Sequence, residues 1–139
     1  MKESIIISIN PEHVRNIING TKKFEYRTKV AKRDINKLII YETMPIKKVV
    51  AEVEIIDVLM LSPSDLWKET KEFSGISKVF FDQYFNNRKV AYAYKLGKIK
   101  VYEQPMELHD FGLKAAPQSF AYVKMPIKKV VAYDKGRIF

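Results

Sequence analysis

Cysteine is absent from this chain of 139 residues. The sequence therefore has no disulfide bond, no thiolate nucleophile and no cysteine-ligated zinc site. The two histidines, His13 and His109, lie far apart in the sequence, so no metal and no cofactor are expected. Glycine is also scarce, and its five positions are isolated from one another. This scatter argues against a glycine-rich phosphate-binding loop.

Long apolar segments are missing as well. No apolar run approaches the roughly 20 residues of a membrane-spanning helix, and the run near the N-terminus is too short for a signal peptide. With 47% hydrophobic and 29% charged residues, the composition is typical of a folded globular protein. The sequence predicts a single domain over residues 1–139, located in the cytoplasm and not bound to a membrane.

Acidic residues are few relative to basic ones. The chain has 25 lysines and arginines against 16 aspartates and glutamates, a net charge of +9. Residues 1–48 carry +6 and residues 83–139 carry +7, whereas residues 49–82 carry −4. If the two basic ends meet in the fold, they form a positive face of the kind that binds polyanions. A basic surface that only keeps the protein soluble is the alternative.

Hydrophobic periodicity predicts an α+β fold. Helices are expected after Asn10-Pro11, after Ser62-Pro63 and within residues 76–85. Strands are predicted at residues 4–9, 23–28, 37–42, 47–58, 90–94, 99–102, 120–123 and 130–133. Because strands and helices do not alternate regularly, the expected architecture is a small, mostly antiparallel β-barrel with about three short flanking helices. The octapeptide MPIKKVVA occurs at residues 44–51 and again at 125–132, and both copies predict strands.

The segment GTKKFEYR, residues 20–27, concentrates ionisable and aromatic side chains. Alternation along a strand directs Phe24 and Tyr26 to the core and places Glu25 and Arg27 together on the other face. Lys22 stands just before the strand and can reach the same side as Glu25 and Arg27. From periodicity alone, an exposed ion pair on a strand is the simpler interpretation, and a pocket is the other.

Several motifs in a fixed order carry a family resemblance. Gly20, Lys22, Glu25 and Arg27 form the pattern G-x-K-x-x-E-x-R, preceded by SIN-P-E-H-V and followed by YET-x-P, by SGIS with later aromatics, and by APQSF-x-Y. Together they resemble the ASCH domain of the PUA-like superfamily over about residues 4–123. Residues 124–139 fall outside it, as a C-terminal extension or an extra strand. The resemblance implies a five- or six-stranded barrel with a cleft beside the G-x-K-x-x-E-x-R segment, which binds RNA or a modified nucleoside.

The same resemblance implies roles for individual side chains. Lys22 and Arg27 are expected to contact phosphate or a base edge, and Glu25 to accept hydrogen bonds from a base or to orient Arg27. Gln118 and Ser119 are predicted to be further polar contacts with the ligand. The sequence does not identify a protein partner, and a regulatory or protein-interaction module whose basic face is incidental is a third option.

Other ligand contacts are weaker expectations. Thr43 is a further polar candidate, and Tyr41, Tyr84 and Phe120 are candidates for base stacking. Core packing is the preferred interpretation for Tyr84 and Phe120. His13 is expected on an exposed helix face, and His109 in a loop.

A hydrolase is the alternative function. Some relatives implied by the resemblance are N4-acetylcytidine amidohydrolases, in which a lysine activates a threonine nucleophile. Here Lys22 stands at the lysine position and Glu25 at the threonine position, so these two would be the catalytic residues. A carboxylate is a poorer acyl acceptor and is expected to pair with Lys22 and raise its pKa. Other relatives cleave RNA without metal, a role that would use Lys22, Tyr26, Arg27 and Ser119.

Overall fold

The computed structural model of the chain describes residues 3–126 and the backbone of residues 132–134. Short helices alternate irregularly with strands of very different length. The elements are β1 (Glu3–Ile9), α1 (Pro11–Ile18), β2 (Phe24–Arg27), β3 (Ile35–Glu42), β4 (Lys48–Leu61), α2 (Pro63–Thr70), α3 (Lys78–Tyr84), β5 (Ala91–Met106), β6 (Phe120–Val123) and β7 (Ala132–Asp134), with 3-10 turns at Lys71–Phe73 and Leu108–Phe111.

The strands form one mixed sheet in the order β2-β5-β4-β3-β1-β6, and β7 pairs with β5. Among the described strands, only β1 and β3 run parallel, and the other pairs are antiparallel. The expected α+β class, the mostly antiparallel sheet and the three helices are therefore confirmed. Pairing of β1 with β6 also brings the N-terminal region against the C-terminal region of the chain.

The prediction of a closed barrel is wrong. Within residues 3–126 no hydrogen-bonded ladder joins β2 to β1 or to β6, so the sheet stays open. The four residues of β2 pair with β5 alone, which leaves the other edge of β2 without a ladder among the described residues. Across the gap, a side chain replaces the ladder, because Arg27 donates a hydrogen bond to the carbonyl oxygen of Ser8 in β1. The gap is where the candidate site lies.

The core consists of three apolar clusters on the two faces of the sheet. The largest lies under α1, where Val14 and Ile17 pack against Ile5, Ile7 and Ile9. A second cluster lies on the opposite face of β1 and β3, around Ile6 and Ile39. The third lies under α2 and α3, which cover Phe24 and Tyr26 of β2. Among the described residues, no helix is long and apolar enough to cross a membrane.

Strand β5 runs without a break where the sequence predicts two strands. Gly97, interpreted as a turn signal, lies inside β5. A Cβ at this position would lie 2.8 Å from the Glu54 carboxylate and 2.9 Å from the Ile56 side chain. The glycine thus serves a close approach between neighbouring strands, next to register shifts at Ile55.

The repeated octapeptide has one copy inside the described part of the chain. Its first copy begins in the turn after β3 and enters β4 at Lys48. Most of the second copy, residues 127–131, lies outside the described residues. The same holds for the first two residues of the strand predicted at 130–133, whose last two belong to β7.

Candidate functional site

An open cleft lies between β2, the N-terminal end of α1 and α3. Its volume is about 180 Å³, and Lys22, Glu25 and Arg27 all contribute to its wall. The remaining lining residues come from β1, α1, β2 and α3 or the turn before it: Ser8, Ile9, Asn10, His13, Tyr26, Ile76, Phe80 and Tyr84. The volume lies below the roughly 300–1,000 Å³ of sites for drug-sized ligands, so it suits one flat ring with the rest of a ligand outside.

Glu25 and Arg27 form a two-point ion pair on the cleft side of β2. The guanidinium donates through Nε and Nη2 to the same carboxylate oxygen, Oε2, at 3.0 and 2.7 Å. Nη2 also donates to the Ser8 carbonyl oxygen at 2.9 Å. Both side chains are largely buried, so the pair holds a fixed orientation. Two groups keep hydrogen-bonding capacity: among the described residues, neither Arg27 Nη1 nor Glu25 Oε1 has a protein partner.

Lys22 forms the floor of the cleft. Its side chain is only 3% exposed, and its ammonium donates to the Ser74 carbonyl oxygen at 2.8 Å. The same nitrogen lies 4.8 Å from the centroid of the Tyr26 ring, a cation–π contact. Lys22 therefore does not pair with Glu25 as the sequence suggested, because Arg27 occupies that carboxylate.

Burial sets the protonation behaviour of the cleft. Desolvation lowers the pKa of Lys22, and the opposing effect of the Glu25 charge is smaller. The expected rise in the pKa of Lys22 is therefore wrong. Burial and the nearby Lys22 charge lower the pKa of His13. Burial also raises the pKa of Tyr26 to about 12, while its hydroxyl shares a hydrogen bond of 2.6 Å with Thr70.

Aromatic rings of α3 form the opposite wall. Phe80 and Tyr84, one helical turn apart, have nearly parallel rings with an interplanar angle of 10° and a centroid distance of 6.4 Å. The His13 ring meets Phe80 edge-on, at a centroid distance of 5.8 Å. Its Nδ1 is buried without a hydrogen-bond partner. The expectation that His13 lies on an exposed helix face is wrong, as is the preference for core packing of Tyr84.

Sequence reasoning missed most of this wall because α3 has two aromatic faces. Phe81 and Phe85 are buried against the sheet. When a helix already has apolar residues at core spacing, a second pair of aromatic residues at positions i and i+4 is easily assigned to the same buried face. The spacing of Phe80 and Tyr84 was the available signal. For His13 the signal was its place in the first turn of α1, three residues after Asn10.

The other residues predicted from the sequence are not all in the cleft. Thr43 lies behind its rim, where its hydroxyl donates to Asn10 Oδ1 at 3.3 Å. Gln118 and Ser119 lie in the loop before β6 and are not part of the cleft lining. This loop touches the cleft wall through Pro117, whose carbonyl oxygen accepts a hydrogen bond from the Ser8 hydroxyl at 2.9 Å.

The remaining stacking candidates lie elsewhere. Tyr41 is buried in the cluster around Ile6 and Ile39, so its proposed contact with a base is wrong. Phe120 packs against the largest cluster, as preferred from the sequence. His109 lies in the 3-10 turn Leu108–Phe111. Among residues 3–126, no group of three or more histidines and carboxylates is close enough to hold a metal ion.

Comparison with known proteins places this arrangement in a family. The model of the ASCH domain matches residues 7–103. The crystal structure of ASCH from Zymomonas mobilis is similar with a TM-score of 0.80 at 22% sequence identity, covering 88% of each chain. A tyrosine-to-phenylalanine variant of the same protein gives a TM-score of 0.80 at 21% identity, covering 88% of this chain and 91% of that one. At these identities the likeness shows the fold.

Two curated relatives from Ureaplasma parvum serovar 3 also match 88% of this chain but are themselves much longer. ATP synthase subunit alpha is 28% identical over 124 residues, which is 88% of this chain and 16% of the relative. Large ribosomal subunit protein uL22 is also 28% identical over 124 residues, 88% of this chain and 40% of the relative. The chain thus spans a minor part of each of these proteins.

The Lys22 floor generates a prediction about Gly75. This glycine has φ +67°, and a Cβ on it would lie 2.5 Å from Lys22 Cβ. Gly20 has φ +86° but open space around it, so Gly20→Ala suffers only the backbone strain, about 1–2 kcal/mol. Gly75→Ala should lower the free energy of unfolding by clearly more, because it also displaces the Lys22 stem. Urea unfolding of both variants checks this, and equal losses would contradict the role of Gly75 in seating Lys22.

The lowered pKa of Lys22 generates a second prediction. Between its folded pKa and its usual value near 10.5, the unfolded chain binds more protons, so stability rises with pH. From about pH 7 to about pH 10, the free energy of unfolding of the wild type should therefore rise relative to that of Lys22→Met. Lys23→Met, at an exposed lysine next along the chain, is the control and should track the wild type. Denaturant titrations at each pH measure this, and a flat or falling difference for Lys22→Met would refute it.

Proposed function

The chain belongs to the ASCH domain family, and from that premise we propose that it binds single-stranded RNA or a modified nucleoside, with one base in the cleft of Lys22, Glu25 and Arg27. The observation that carries the proposal is that the Glu25–Arg27 ion pair has hydrogen-bonding groups without a protein partner among the described residues. Within the described residues, Arg27 Nη1 keeps its donors and Glu25 Oε1 keeps its acceptor capacity. A nucleobase edge presents both acceptors and donors, so a base in the cleft can use both groups.

The aromatic wall supports a flat ligand. A base beside the Phe80 and Tyr84 rings would stack, a contact worth about 1–3 kcal/mol per base. The small cleft volume admits the ring and leaves sugar and phosphate at the mouth. There Thr43, Gln118 and Ser119 are the polar side chains proposed to contact them. Thr43 bonds to Asn10 of the wall, and Gln118 and Ser119 follow Pro117, which accepts a hydrogen bond from Ser8 of the wall.

Lys22 contributes charge at the floor. Its ammonium has three donors and Ser74 takes one of them. A buried cation under the ring attracts the electron-rich carbonyl oxygens and ring nitrogens of a base, and the low dielectric of the site strengthens this attraction. The net charge of +9 adds a long-range attraction for the phosphate backbone that salt screens.

The aromatic wall gives the binding test. Tyr84→Ala should weaken binding of a fluorescein-labelled oligouridylate by about tenfold, the loss of one stacked base. Phe73→Ala is the matched control, because Phe73 is also 38% exposed but lies outside the cleft lining. Fluorescence anisotropy at low and moderate salt measures both affinities.

Two results would count against the proposal. If the Tyr84→Ala and Phe73→Ala variants bind the oligouridylate with equal affinity, the base does not bind in the cleft. If the wild type binds neither the oligonucleotide nor N4-acetylcytidine, used as a nucleoside probe, the proposed function is wrong.

A hydrolase acting on N4-acetylcytidine or on the RNA backbone is the second candidate, and the lowered pKa of Lys22 favours it. A larger neutral fraction makes the amine a better general base. In deacetylation, water adds to the acetyl carbon, the bond from that carbon to N4 breaks, and N4 takes up the proton. In RNA cleavage, the 2′-oxygen attacks the adjacent phosphorus, the bond to the 5′-oxygen breaks, and a cyclic phosphate and a 5′-hydroxyl result.

Product analysis tests this candidate. If it holds, the wild type releases acetate from N4-acetylcytidine or cyclic-phosphate ends from RNA, and Lys22→Met loses the release while Lys23→Met keeps it. Binding of either substrate without product at high protein concentration would eliminate the hydrolase.

A further inference from the structure

The face of the sheet that carries Glu25 and Arg27 continues beyond the cleft. In the antiparallel register, Arg27 is directly opposite Tyr92 of β5, and Tyr92 is opposite Met60 of β4. Residues directly opposite each other in an antiparallel pair have their side chains on the same face. The row Arg27–Tyr92–Met60 therefore starts at the cleft and, at about 4.8 Å per strand, extends about 10 Å across the sheet.

This face is open only towards its β4 end. Tyr94, which lies opposite both Glu25 and Val58, is 1% exposed in the largest core cluster, and its hydroxyl accepts a hydrogen bond from the backbone N–H of Ala31. The row on the opposite face, Tyr26–Ala93–Leu59, is packed under α2 and α3. Met60, by comparison, is 63% exposed, and Val58, two residues earlier on the same face of β4, is 40% exposed. Tyr92 is half-buried, and no hydrogen bond of its hydroxyl is formed within residues 3–126. We name the side chains of Tyr92, Met60 and Val58 the apolar platform.

Basic side chains stand at one end of the platform. Lys29 follows Arg27 by two residues, and Arg88 and Lys89 come just before the start of β5, so all three lie at the same end of the β2–β5 pair. They are exposed, and none forms an ion pair with another described residue. The acidic residue beside the platform is Asp57, whose Oδ1 accepts a hydrogen bond from the backbone N–H of Val58.

We propose that the apolar platform carries the nucleotides that flank the base held in the cleft. The inference rests on the proposed function and extends it from one base to a strand. A half-buried aromatic ring and exposed apolar side chains, beside cations and in one row with Arg27, are the combination that holds single strands: bases lie on the apolar groups while cations follow the phosphates. The ligand is thus a single-stranded RNA segment of several nucleotides, and a lone nucleoside fills only part of the surface.

A length series tests the platform. Tyr92→Ala and Met60→Ser should weaken binding of a dodeca-uridylate by about tenfold while leaving the binding of uridine monophosphate unchanged, because only a strand with nucleotides that flank the base in the cleft reaches the platform. Phe73→Ser is the control, since Phe73 is 38% exposed in the 3-10 turn Lys71–Phe73, outside both the cleft lining and the platform. Met60→Ser, at an exposed site, keeps the test valid where Tyr92→Ala lowers stability. Fluorescence anisotropy provides the affinities.

The outcomes separate this inference from the proposed function. If the dodeca-uridylate and the mononucleotide both bind, Tyr84→Ala weakens both, and the platform variants change neither, the platform is refuted while the cleft stands. If neither ligand binds, both proposals fall. Sedimentation velocity tests a third outcome. Among the described residues, residues 57–61 of β4 pair with β5 and with no other strand, so their second edge is free for a second copy of the chain. A dimer that dissociates in the Met60→Ser variant would assign this face to a second copy of the chain and overturn the inference.

Discussion

One side-chain bridge determines the character of the site: the Arg27 guanidinium spans the gap between β2 and β1, held by Glu25 on one side and by the Ser8 carbonyl oxygen on the other. A ladder in its place would close the sheet and satisfy every backbone group, leaving no cleft. Strand β2 pairs with β5 alone among the described residues, and the guanidinium supplies a fixed connection across the gap on its other side. Because the fork has five donors and the bridge uses three, the same group that joins the strands remains able to bind.

The sequence carried the local part of this arrangement. Strict alternation along β2 was enough to place Phe24 and Tyr26 in the core and to pair Glu25 with Arg27, since a strand has only two faces. The family pattern then favoured a cleft over an open surface, and the ASCH match over residues 7–103 confirms the family. These inferences depend on neighbours in sequence, where periodicity is a strong constraint.

What the sequence could not supply depends on distant contacts. Whether Lys22 meets Glu25 or the Ser74 carbonyl is decided by how the turn before α3 folds back, with Gly75 packed on the lysine stem. Burial then sets the direction of the lysine pKa shift, which no local pattern reports. His13 and Tyr84 come to the same cleft from two helices far apart in the chain. Gly97 shows the opposite error, where a residue typical of turns accommodates a neighbouring strand.

The state of Glu25 weighs on the choice between binding and chemistry. Glu25 Oε2 accepts two hydrogen bonds from Arg27. These bonds use the lone pairs of that oxygen, which makes it a weaker nucleophile, and the bridge between the strands fixes the position of the carboxylate. A nucleophile must approach an acyl carbon and then separate from it, and movement of Glu25 would release Arg27 from its place beside Ser8. Holding two charges in a largely buried pair is costly unless their remaining hydrogen-bonding capacity is used. A base edge uses that capacity without moving either side chain, and for this reason the geometry favours recognition by Glu25 and Arg27 and leaves any proton transfer to Lys22.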